Sequence, residues 1–129
     1  MDKMFAEAKE LKDGKYIIID DIPCRVVNIE SSKPGKHGAA KMRVTAIGVF
    51  DGQKKTWLGP SDQTVEVPMI ERTTAQIVAV NGNVANLMDS TTFETYELAI
   101  PEEMTKDAAP GKEAEILQSM GRRAIQRIK

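Results

Sequence analysis

A chain of 129 residues with a formal net charge of -1 has room for one ordinary domain or two small ones, and not for a large multidomain enzyme. Hydrophobic residues at 41% and charged residues at 29% exclude wholesale disorder, while aromatics at 5% leave few side chains for the stacking platforms of single-strand binders. One cysteine, Cys24, and one histidine, His37, exclude an intramolecular disulfide and the usual zinc sites, so no metal and no cofactor are expected.

The first dozen residues space Met4, Phe5, Ala8 and Leu11 as a short helical turn does, but charge dominates and a loose arm is expected. Lys15 to Ile19 is rich in β-branched and aromatic residues and reads as a strand. Asp20-Asp21-Ile22-Pro23 is a turn, and Cys24 to Glu30 is the strand that follows it. Lys41 to Phe50 is a further long strand, Asp51-Gly52 a turn, Lys54 to Leu58 a short strand and Thr64 to Val67 a closing one. Five or so strands with frequent turns within about 68 residues describe a small β-barrel. Pro68 ends that run, and the residues to Thr74 read as a connector.

A second β pattern begins at Ala75 to Val80, turns at Asn81-Gly82-Asn83 and returns through Val84 to Met88. The Asn-Gly pair is a strong hairpin signal. Phe93 to Ile100 alternates as a half-exposed strand does, and Glu102 to Lys106 fits one turn of helix. The segment from Glu113 to Lys129 combines good helix formers with an interrupting Gly121 and an alternating end; two short strands joined near Gly121 are expected, with a helix as the rival. The fold class is therefore all-β, two small barrels, with residues 1–69 as the first domain and 70–129 as the second. Residues 1–69 carry 11 basic and 10 acidic side chains and residues 70–129 carry 7 and 9, so neither half is a basic nucleic-acid domain.

Against that balance the stretch from Ser31 to Lys41 stands out. From Ser31 through Phe50 the only charged residues are Lys33, Lys36, Lys41 and Arg43, all positive. Pro34-Gly35 fits a type II turn, with proline presetting φ and glycine accepting the positive φ that follows. Lys36 comes just after this bend, and Gly38, Ala39 and Ala40 offer nothing to shield it. The connection is longer than common hairpin loops, which points to use. A local cationic tip on a mildly acidic body calls for an anionic partner.

Ser32-Lys33-Pro34-Gly35-Lys36-His37-Gly38-Ala39-Ala40-Lys41 resembles the hypusine loop of the translation initiation factor 5A family, relatives of bacterial elongation factor P. The resemblance extends through Ile22-Pro23-Cys24, Lys41 to Val44, Val65 to Pro68 and Asp89 to Leu98. Pro34 stands where eukaryotic members have threonine and Ala39 where they have a second histidine, as in archaeal members. The resemblance implies an SH3-like barrel on residues 1–69, carrying the loop at 31–41, followed by an OB-fold on residues 70–129. It implies that Lys36 receives an aminobutyl group from spermidine through deoxyhypusine synthase and is carried as deoxyhypusine or hypusine. It further implies a ribosome-bound, non-enzymatic factor that places Lys36 beside the acceptor end of the P-site transfer RNA. There it promotes peptide-bond formation, above all at proline runs, and initiation and termination are wider settings for the same action.

Beside Lys36, the loop residues Lys33, Pro34, Gly35, His37, Gly38, Lys41 and Arg43 are expected to support the modification and to contact ribosomal or transfer RNA. Cys24 is expected in the core, Trp57 in packing, and Arg122, Arg123 and Arg127 either on RNA or on a salt-bridged barrel face. The alternative function is a general single-stranded RNA-binding or chaperone module using the OB-like half. No apolar run approaches the roughly 20 residues of a membrane helix, and Met1-Asp2-Lys3-Met4 lacks a signal-peptide core, so a cytoplasmic protein without a membrane partner is expected. A monomer is expected, with a dimer as the alternative.

Overall fold

The computed structural model describes residues 3–32 and 40–129. The chain divides into two compact units, Met1–Met69 and Ile70–Lys129, and each holds its own apolar core. Eleven strands and two turns of 3-10 helix account for the elements among the described residues, which is the all-β architecture the sequence predicts.

The amino-terminal arm is not loose. β1 (Lys3–Glu7) pairs antiparallel with β6 (Thr64–Pro68), and a 3-10 turn, Ala8–Glu10, brings Ala8 and Leu11 into the core. Local charge density predicted the opposite because the pairing partner lies sixty residues away and is invisible to any local window. The Glu10 carboxylate accepts the Glu7 backbone N–H at 2.7 Å and holds the corner between strand and turn.

β2 (Tyr16–Ile19), β3 (Ile22–Ser32), β4 (Lys41–Gly48) and β5 (Lys54–Pro60) form one antiparallel sheet in that order. Asp20 and Asp21 have φ of 53° and 63°, so the two-residue connection from β2 to β3 has the left-handed pair of a type I′ hairpin. β6 packs against β2, which curls the sheet into a small SH3-like barrel. Its core gathers Ile17, Ile19, Cys24, Val26, Val44, Ala46 and Val65, with Trp57 packed against it.

β3 carries a bulge between Val26 and Asn28. Before it Cys24 and Val26 are buried; beyond it Asn28 and Glu30 are exposed while Ile29 is half-buried. The extra residue reverses which face the even positions occupy. As a result the outer half of β3 matches β4 across the ladder, Glu30 opposite Arg43 and Ser32 opposite Lys41.

The second unit is one five-stranded sheet in the order β11-β10-β7-β8-β9. β7 (Glu71–Asn81) begins where a connector was expected to continue, leaving only Met69-Ile70 between the strands of the two units. β8 (Val84–Asp89) returns after Gly82, whose φ of 61° is the positive value that a hairpin turn needs at its first central position. β9 (Thr95–Ala99) follows, then a 3-10 turn at Glu102–Met104. β10 (Glu113–Ser119) and β11 (Arg122–Ile128) settle the ambiguous tail as two strands, joined by Met120 and Gly121 at φ of 52° and 77°. β11 meets β9 and closes the OB-fold barrel around Ile77, Leu87, Ile116 and Ile125.

Candidate functional site

The two longest strands of the first unit converge on the cationic stretch. β3 runs to Ser32, two residues beyond the expected strand end at Glu30, and β4 begins at Lys41, so the ladder continues to the pair Ser32 and Lys41 and the connection is residues 33–40. Its far root is fixed from a third direction, because the Ser61 backbone N–H donates to the Ala40 carbonyl at 2.7 Å. Lys33, Pro34, Gly35, Lys36, His37 and Gly38, with the bend expected at Pro34-Gly35, lie outside the described residues. Lys41 and Arg43 lie within them.

Alternation along β4 settles where those two point. Met42, Val44 and Ala46 are buried, so Lys41, Arg43 and Thr45 share the outward face, with Lys41 and Arg43 exposed. Residues two apart on one face are separated by about 7 Å, too far for one anion to bridge comfortably and suited to successive charges on a polymer. Neither cation has an ion-pair partner among the described residues.

Two further cations belong to this face and were not picked out from the sequence. Arg25 lies opposite Ile47, which lies opposite Lys54, and both cations are exposed. Across the three strands the outward rows are therefore Arg25, Ile47 and Lys54; Asn28, Thr45 and Thr56; Glu30, Arg43 and Leu58; and Ser32, Lys41 and Pro60. Only Glu30 is acidic in this field. The pattern depends on the bulge in β3, which no sequence period announces.

Other expected positions resolve toward structure. Cys24 is fully buried and its thiol donates to the Ile22 carbonyl at 3.3 Å; burial pushes its pKa up, which keeps it protonated and unreactive. Arg123 pairs with Glu94 at 2.9 Å and stacks 4.3 Å above the Tyr96 ring, and Arg127 pairs with Glu115 at 2.8 Å, so these two belong to a salt-bridged barrel face. Among the described residues no cluster of three metal-ligating side chains occurs.

Two family descriptions cover this chain: "Translation initiation factor 5A-like, N-terminal" over residues 3–63, and "Eukaryotic elongation factor 5A hypusine, DNA-binding OB fold" over residues 69–129. The chain belongs to the translation initiation factor 5A family. It is 48% identical to the translation initiation factor 5A of Archaeoglobus fulgidus over 98% of each chain, and 49% identical to that of Pyrobaculum islandicum over the whole of both. The solved structure of the Methanococcus jannaschii translation initiation factor 5A superposes with a TM-score of 0.91 at 42% identity, covering 98% of this chain and 95% of that one. A family protein from Naegleria fowleri, at 26% identity, superposes with a TM-score of 0.78 over nearly the full length of both. The resemblance drawn from the loop and from shorter stretches in both halves thus holds over both barrels of a hypusine-containing translation factor 5A family. Among the described residues no helix is long and apolar enough to cross a membrane.

Proposed function

We propose that this chain works on the ribosome and carries a spermidine-derived extension on Lys36 that it inserts beside the acceptor end of the P-site transfer RNA. The extension is deoxyhypusine or hypusine, made by a deoxyhypusine synthase. Lysine is a compact cation on a flexible stem, and an added aminobutyl arm gives it reach and a second amine for phosphate and sugar oxygens. Catalysis then belongs to the ribosome. The factor contributes by holding a sluggish peptidyl-tRNA in a reactive pose, which lowers the entropic part of the barrier.

The observation that supports this reading is that β3 and β4, anchored in a barrel core, run out together to Ser32 and Lys41 at the two roots of the cationic stretch, with Lys41 and Arg43 exposed there. Those charges suit phosphate contacts that set position without reading sequence. The reading of a free RNA-binding module through the second barrel is the weaker one, since Arg123 and Arg127 are already engaged with carboxylates and Tyr96 lies half-buried beneath Arg123.

Mass spectrometry of the peptide spanning Lys36, taken from the native host, tests the modification. An aminobutyl-sized addition that disappears in Lys36→Ala is expected, and unmodified lysine throughout native material contradicts the proposal.

A further inference from the structure

The loop between β8 and β9 is braced more firmly than a connection requires. The Asp89 carboxylate accepts the N–H groups of Thr91 and Thr92 at 2.8 and 2.9 Å. The Asp89 backbone donates to the Glu94 carbonyl at 2.8 Å, and its own carbonyl accepts the Phe93 N–H at 2.9 Å. Ser90 donates to the Thr74 carbonyl of β7, and Glu94 pairs with Arg123 of β11. What this frame holds out is Phe93, with φ of 62° and 68% of its surface exposed. A hairpin that closes through a left-handed residue takes glycine or asparagine easily, whereas a bulky side chain there is strained. The ring recovers nothing by burial, so neither the turn nor the core accounts for it. Backbone strain that the surroundings enforce concentrates where ligands or partners are gripped.

The charge around this ring has one sign. From Thr73 through Thr105 the only charged residues are Asp89, Glu94, Glu97, Glu102 and Glu103, all acidic. Glu97 stands on the outward face of β9, since Tyr96 and Leu98 on either side of it pack against the core. Arg123 brings one cation to the loop from β11, and it is engaged by Glu94 and the Tyr96 ring. We propose that Phe93 is an anchor that enters an apolar pocket on a basic protein of the ribosome, with Asp89, Glu94 and Glu97 as the acidic rim of the contact. The inference rests on the ribosomal function already proposed and gives the second unit a contact of its own. A ribosome offers two kinds of surface, RNA and protein. Phosphates repel the three carboxylates, which disfavours stacking of Phe93 on a nucleobase, while a cationic protein surface attracts them and guides the ring into place. One aromatic anchor ringed by polar groups is also the arrangement that concentrates binding energy in a small contact.

Binding of the modified full chain to ribosomes of the native host tests this. Phe93→Asn keeps a residue that accepts the left-handed backbone and removes the ring; it is expected to weaken binding at least about fivefold while the melting temperature holds or rises. Phe93→Tyr is expected to bind within about twofold of the parent. Glu97→Lys separates the two surfaces by sign, with binding about threefold weaker expected against a basic protein and tighter binding against RNA. Photoreactive benzoylphenylalanine at position 93 then reports the neighbour directly, and an adduct to one basic ribosomal protein is expected. An adduct to ribosomal RNA or none at all, tighter binding by Glu97→Lys, or undiminished binding by Phe93→Asn overturns the inference and leaves the proposed function standing. A melting temperature that drops in Phe93→Asn overturns it as well, because the ring is then structural. Ribosomes that fail to bind the parent chain defeat the proposed function, and this contact with it.

Discussion

At the scale of single residues the second barrel contains a polar group with an unusual position. The Tyr96 hydroxyl is buried and has no hydrogen-bond partner among the described residues, while its ring carries the Arg123 guanidinium. Burial pushes the phenol's pKa up, and the Arg123 charge partly offsets this. An unpaired buried hydroxyl costs about 1–3 kcal/mol, so Tyr96→Phe is expected to be neutral or to stabilise by up to about 1 kcal/mol, read by denaturant unfolding. Arg123→Ala removes both the stacking and the pair with Glu94 and is expected to cost about 1 kcal/mol. Cys24 offers a second check: alkylation at mildly alkaline pH is expected to be slow in the folded protein and fast once denatured, because the thiol is both buried and held protonated.

Acid response also belongs to this scale. Asp89 accepts the backbone N–H groups of Thr92 and Thr91, which hold its carboxyl below its ordinary 3.8, and a hydrogen bond from Arg127 holds Glu115 below its ordinary 4.5. A depressed folded pKa means that the unfolded chain takes up protons first. The stabilisation is therefore complete above the ordinary values and is lost as pH falls through the lower folded ones. Thermal midpoints recorded downward from pH 6 are expected to hold until about pH 4.5 and then decline. Asp89→Asn keeps an acceptor for the two N–H groups without titrating, and is expected to flatten part of that decline.

At the scale of elements, turns and alternation were legible in the sequence and long-range partners were not. The Asn81-Gly82 signal, the alternation of Phe93 to Ile100 and the break at Gly121 each led to a strand pair because their cause is local backbone chemistry. β1 was misjudged because its stability comes from β6, and the start of β7 because Arg72, Thr73 and Thr74 owe their strand conformation to β10. The site divides in the same way: the cationic tip is written in consecutive residues, whereas Arg25 and Lys54 join its face only through the register set by the β3 bulge. Two substitutions probe this level. Met120 holds a left-handed φ of 52° before Gly121, so Met120→Asn, which makes an Asn-Gly turn, is expected to stabilise the β10–β11 hairpin by about 0.5–1 kcal/mol. A Cβ at Gly59 would lie 2.7 Å from the Trp57 ring and 2.9 Å from Gln63, so Gly59→Ala is expected to cost about 1–3 kcal/mol in a melt of the first barrel's core.

For the molecule as a whole, two barrel cores of ordinary composition support a single concentrated charge feature. The first unit's basic and acidic residues nearly balance, and so do the second's, so neither unit exerts a strong long-range field on a polyanion, and under the proposed function positioning would fall to local contacts such as those of Lys41 and Arg43. Substituting Lys41 and Arg43 together by alanine is accordingly expected to weaken ribosome binding several-fold and to lessen its salt dependence, without affecting the fold. The central claim is that the extended Lys36 side chain is the acting part. Its most direct test is the rate at which ribosomes from the native host complete a peptide containing consecutive prolines, with the modified protein, the unmodified protein or Lys36→Ala added. Relief of the stall by the modified protein, with little or none from the other two, is the predicted result; equal relief by all three would contradict it.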